Sequence, residues 1–143
     1  MINTAHFHPM VVHFPVALIL AGFLADLLFL FFRKQAWLSK TGFYLMVLGT
    51  LGAVAAYLTG QFFTAHPGEG AIVEIFSRHE SLALVTLLIM CIATLVRIAV
   101  VIWKKDSAFF HWLVFGLYLL GTLSVSATGY LGGVMVMDYM MGL

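Results

Sequence analysis

The chain has 143 residues, of which 63% are apolar and 9% charged, with a net charge of +1, and its mean hydropathy is +1.07. Soluble domains carry about 25% charged residues, so this composition excludes a conventional soluble enzyme and a disordered tail. The near-neutral charge excludes a nucleic-acid binder, which needs a basic field for phosphates. The single cysteine, Cys91, excludes an internal disulfide framework and a thiolate zinc cluster.

An integral membrane protein remains, with the lipid bilayer as its first partner. Four apolar runs follow one another: Pro9–Phe32, Thr41–Phe63, His79–Trp103 and Phe110–Met137. Each reaches the roughly 20 residues that cross a ~30 Å hydrocarbon core as a helix. None alternates with period two, and a membrane barrel needs about eight strands or more. The fold class is therefore all-α: one transmembrane domain over residues 1–143, an up-down-up-down four-helix bundle joined by short loops.

The N-terminus lacks a basic region and a small-residue cleavage site, so the first run reads as a retained span. It carries His13 one turn in, after His6, His8 and Pro9. The connection after it holds Arg33, Lys34 and Lys40; the third connection holds Lys104 and Lys105; the second holds Arg78 against Glu69, Glu74 and Glu80. By the positive-inside rule the first and third connections are cytoplasmic, and both termini face outside. Trp37, Trp103 and Trp112 flank the cytoplasmic side, as interfacial tryptophans do. The second span carries Gly49, Gly52, Ala53, Ala56 and Gly60, and the fourth Gly121, Ser124, Thr128 and Gly132. Such small residues let helix backbones approach closely.

Six histidines nearly equal the seven lysines and arginines. His6, His8, His13, His66 and His79 fall at the outer end, with His79 opening the third span; His111 lies at the cytoplasmic end. His13 and His79 stand at similar depth on spans running in the same direction, which can face each other across a bundle. Ala17 and Ala83 follow them by four residues, on the same helical face, and clear space beside each imidazole. Two opposed imidazoles and a slot are what a haem iron requires, so His13 and His79 are the expected axial ligands of a haem b. Asp138 and Tyr139, at the exit of the fourth span, are candidates to orient an imidazole. Interfacial histidines bonded to loop carbonyls are the plain alternative. A copper or zinc site from His8, His13, His79 and His66 is a second chemistry. The halves share a short pattern, His13-Phe-Pro-Val-Ala-Leu and His79-Glu-Ser-Leu-Ala-Leu, which suggests a two-helix repeat.

Asp26 and Arg97 are the charged residues deepest in the spans. Each lies about 10 Å inside the cytoplasmic end at 1.5 Å per residue. Charges in a membrane are normally paired, so an Asp26–Arg97 ion pair joining the first and third spans is expected.

His8-Pro9-Met10-Val11-Val12-His13-Phe14-Pro15-Val16-Ala17-Leu18, followed by Asp26, resembles the opening of a bacterial membrane family catalogued as domain of unknown function 2231. The resemblance continues through the glycine-rich second span, His79, and Gly129-Tyr130-Leu131-Gly132-Gly133. It implies four spans and, because some similar proteins are fused to Rieske-type iron–sulfur or other redox modules, electron transfer. Many members carry a histidine shortly after the Gly-Gly pair; Tyr139 stands near that place here.

These readings converge on an electron-transfer protein of the bacterial inner membrane rather than a stand-alone enzyme. A quinol and redox proteins are its expected partners, with a homodimer or larger complex as its setting. A histidine-based metal binder and a non-catalytic assembly subunit are the alternatives.

Overall fold

The computed structural model describes residues 7–64, 66–104 and 107–139. They form four helices: α1 Phe7–Phe31, α2 Ala36–Phe63, α3 Ala71–Ile102 and α4 Ala108–Tyr139. All four are long and apolar enough to cross a membrane. In lipid a backbone must satisfy its own hydrogen bonds, and a helix does so within one segment.

Each of the four helices starts before the apolar run that announces it. α3 starts at Ala71, so His79 sits two turns inside it rather than opening it. Its first turns carry Glu74, Ser77 and Arg78, and Arg78 Nη2 donates to Glu74 Oε1 at 2.6 Å, an i,i+4 pair that supports helix in water. Hydropathy marks where lipid begins, not where the helix ends. Gly70 caps α3 at φ +95°, a backbone region that a side chain disfavours.

The bundle is built as two tight hairpins. α1 packs along α2 and α3 along α4; the α2–α3 and α1–α4 seams are thinner, and α1 and α3 lie on a diagonal. Glycines explain the tight pairs. Gly49 faces Ile19 and Gly52 faces Pro15, while Gly121 faces Met90. Pro15 lies inside α1 and packs its ring on Gly52, with Cδ 3.3 Å from the point a Cβ would occupy. Ile19, Met46, Met90 and Tyr118, one from each helix, are fully buried and form the central layer. Large apolar side chains such as Leu24, Leu51, Leu88 and Leu123 cover the outside, as expected where the solvent is lipid.

Candidate functional site

Buried positions on α1 recur on α3 with a constant offset. Pro15, Ile19, Gly22 and Asp26 are buried on α1, and Thr86, Met90, Ala93 and Arg97, each 71 positions later, are buried on α3. The same holds between α2 and α4 with an offset of 72: Gly42, Met46, Gly49, Thr50 and Ala53 against Val114, Tyr118, Gly121, Thr122 and Val125. Gly49-Thr50-Leu51 and Gly121-Thr122-Leu123 are identical in sequence. The chain is thus a repeat of one hairpin, the two copies running in the same direction. His79 corresponds to His8, not to His13 as the shared pattern near His13 suggests.

This register decides which histidines meet. Asp26 follows His8 by eighteen residues and Arg97 follows His79 by eighteen; at 3.6 residues per turn that is about five whole turns, so each pair shares a face. His13 stands about 140° round the helix from His8 at the same pitch. It is exposed, as is Ala17 one turn on. The expected His13–His79 facing pair is therefore not formed, because the inward face of α1 is set by Pro15, Ile19, Gly22 and Asp26. Ala83 is half-buried on α3.

His8 and His79 are both half-buried and occupy equivalent places in the two hairpins. Each imidazole lies against a glycine of its own hairpin. His8 Cε1 is 3.0 Å from the Cβ position of Gly60, and His79 Cε1 is 3.4 Å from that of Gly132; these glycines are themselves equivalent. Each Nδ1 is tied to the second helix of its hairpin. His79 Nδ1 lies 3.0 Å from the Thr128 carbonyl oxygen. A carbonyl only accepts, so this nitrogen carries the proton. His8 Nδ1 lies 3.2 Å from Thr59 Oγ1, whose own proton goes to the Ala56 carbonyl at 3.0 Å; His8 Nδ1 therefore donates too. In the neutral ring the other nitrogen then keeps its lone pair. Neither Nε2 makes a hydrogen bond among the described residues.

Polar groups continue below His79. Thr86 Oγ1 lies 2.7 Å from Ser124 Oγ and 3.1 Å from Thr128 Oγ1. Deeper, Thr50 Oγ1 meets Thr94 Oγ1 at 2.8 Å. At the far end Asp26 and Arg97 form the expected ion pair. Arg97 Nη1 donates to Asp26 Oδ2, and Nη2 to Asp26 Oδ1 at 2.9 Å and to the Ser39 carbonyl at 3.0 Å. The guanidinium also lies 5.7 Å from the Phe43 ring centre. Both side chains are buried, so Arg97 does not reach out to the interface.

The remaining candidates lie apart. His66 is exposed; its Nε2 is 3.6 Å from Glu80 Oε1, which also accepts from Gln61 Nε2 at 2.7 Å. Tyr139 is 39% exposed and bonds to neither imidazole among the described residues, where Thr59 and Thr128 take that part instead. No three His, Cys, Asp or Glu side chains come together as a metal site among the described residues, so His8, His13, His66 and His79 do not assemble one; His6 lies outside the described residues. The eighteen-residue spacing is the sequence signal that points to His8, and it is legible without coordinates.

A family profile described as "Predicted membrane protein (DUF2231)" matches residues 4–143. No curated protein and no solved structure matches the chain.

Proposed function

The chain belongs to the DUF2231 family of predicted membrane proteins, and we propose that it is a b-type haem protein carrying electrons near the outer face of the bacterial inner membrane. The proposed axial ligands are His8 and His79. The observation that carries this reading is the pair of anchored imidazoles, one at the same place in each hairpin, with each Nδ1 held by the second helix of that hairpin.

The donor set fits haem better than a bare ion. A haem iron takes two axial protein nitrogens, whereas zinc takes three or four protein ligands, and no such group assembles among the described residues. Copper or zinc therefore ranks second. The glycines at 60 and 132 let the imidazoles lie close against the second helix of each hairpin. Haem, when bound, supplies one-electron chemistry. The Thr59 hydroxyl and the Thr128 carbonyl orient the rings, a role that fixes tautomer and raises ligand basicity. The Asp26–Arg97 pair holds one hairpin against the other and so sets the spacing of the two histidines.

The basic connections at Arg33–Lys34 and Lys104, at the opposite end, support a periplasmic location for this end of the bundle under the positive-inside rule. Both termini share that side. A quinol as donor and a redox protein as acceptor follow from the location, with a homodimer or larger complex as the setting.

The test is the reduced-minus-oxidised visible spectrum of the purified protein. An α-band is expected in the native chain and in His13→Ala, and its loss in His8→Ala and His79→Ala. A native sample with no α-band after haem supplementation during expression overturns the reading.

A further inference from the structure

A groove of about 440 Å³ runs over the α3–α4 seam on the lipid side. Its mouth is polar, formed by Ser77, Arg78 and Ser81 of α3 and Tyr130 of α4. Deeper in the membrane the lining is apolar, with Leu82 and Ala127, and Leu131 lies beside Tyr130.

Depth matches this division. α3 and α4 have 32 residues each, about 48 Å at 1.5 Å per residue. A ~30 Å hydrocarbon core centred on them leaves about 9 Å protruding at each end. Ser81 lies about 15 Å from the start of α3 and Tyr130 about 14 Å from the end of α4 at that rise. Both hydroxyls thus stand a few ångströms below the headgroup boundary, where an amphiphile places its polar head.

The repeat shows that hairpin packing does not demand these hydroxyls. The positions equivalent to Ser81 and Tyr130 in the first hairpin are Met10 and Leu58, and the first hairpin closes as tightly. The charge is also balanced: Arg78 is paired with Glu74 at 2.6 Å. A groove with no uncompensated cation does not suit an anionic phosphate. Serine and tyrosine hydroxyls both donate and accept, which suits a neutral head bearing carbonyl or hydroxyl oxygens. The groove backs onto the candidate site. Ala127 flanks Thr128, whose carbonyl takes the His79 Nδ1 proton, and Leu131 flanks Gly132, on which the His79 ring lies.

We propose that this groove binds the head of a lipid-soluble quinone or quinol, held by the hydroxyls of Ser77, Ser81 and Tyr130, with its tail along Leu82 and Ala127. The proposal rests on the electron-transfer reading for the choice of ligand, but binding itself requires no haem.

The probe is decylubiquinone, titrated by calorimetry into the full chain in phosphatidylcholine nanodiscs. One saturable site is expected. Ser81→Met and Tyr130→Leu, which install the first hairpin's residues, should each weaken it tenfold or more. Both positions face lipid, so the fold is retained, and an unchanged far-ultraviolet spectrum checks this. His8→Ala and His79→Ala should keep quinone binding, so loss of haem and loss of the groove are read separately. Absence of saturable binding, or binding indifferent to both substitutions, overturns the proposal. So does a site that answers to phosphatidylglycerol and not to the quinone.

Discussion

Arg97 grips Asp26 across the diagonal of the bundle, joining the two hairpins at the end opposite His8 and His79. The two residues occupy the same place in the two copies of the hairpin. A repeat with identical charges there would repel itself; opposite charges make one hairpin complementary to the other. Removing one partner strands a buried charge, at a cost of about 3–5 kcal/mol. Asp26→Ala should therefore lower the unfolding free energy in detergent by about that amount. The exchange Asp26→Arg with Arg97→Asp should recover part of it. Equal stability of native chain and Asp26→Ala would show that the pair does not hold the hairpins together.

Two glycine substitutions should behave oppositely. At Gly22 an added Cβ meets Tyr118 Oη and comes within 2.8 Å of Leu45 Cβ. Overpacking of this kind costs about 1–3 kcal/mol, so Gly22→Ala should lower the melting temperature. Gly133 has nothing within 4 Å of its Cβ position among the described residues. Gly133→Ala should be neutral or slightly stabilising, since alanine is the better helix former.

Tyr118 is fully buried, and its Oη has no hydrogen-bond partner among the described residues. An unpaired buried hydroxyl costs about 1–3 kcal/mol. Tyr118→Phe keeps the ring and its edge contact with Phe23 while removing the hydroxyl. It should leave stability unchanged or raise it; a clear loss would mean that an ordered water holds the hydroxyl.

Thr59 accepts the Nδ1 proton of His8. Groups that orient a metal-bound histidine typically contribute 10–100-fold in metal affinity. Thr59→Val keeps the shape and removes the acceptor, so haem retention during purification should fall roughly tenfold. Thr59→Ser should restore it.

The proposed orientation is testable by labelling single cysteines in a Cys91→Ser background with an impermeant maleimide in intact cells. Gly68→Cys, in the α2–α3 connection, should react without permeabilisation. Lys34→Cys, in the α1–α2 connection, should react only after it. The reverse pattern would invert the topology.

Much of the architecture was open to reading in the chain itself. Four apolar runs of spanning length define four helices because lipid leaves the backbone few alternatives. The Asp26–Arg97 pair was also readable, since two opposite charges at one depth in lipid have few partners. The outer site was only half legible. His79 is half-buried on α3, and the residue at the equivalent place on α1 is His8, which follows from helical phase. His13 looks suitable by depth and by the alanine after it, yet it faces outward because Pro15, Ile19, Gly22 and Asp26 take the inner face. Depth can be counted along a sequence directly; phase can be counted only once an inward-facing residue, here Asp26 or Arg97, serves as the reference.

What the sequence determined alone was the solvent and its consequences: a membrane protein, four helices, a charged pair at one end and a histidine excess at the other. Hydropathy and charge are sums over residues, so they need no coordinates. The tertiary structure decided which faces meet. It set the register between α1 and α3, exposed the two-hairpin repeat, turned His8 rather than His13 inward, and brought Thr59, Thr128 and the two glycines to the imidazoles. Those are distances between segments remote in sequence, fixed by how small residues let one helix settle against the next.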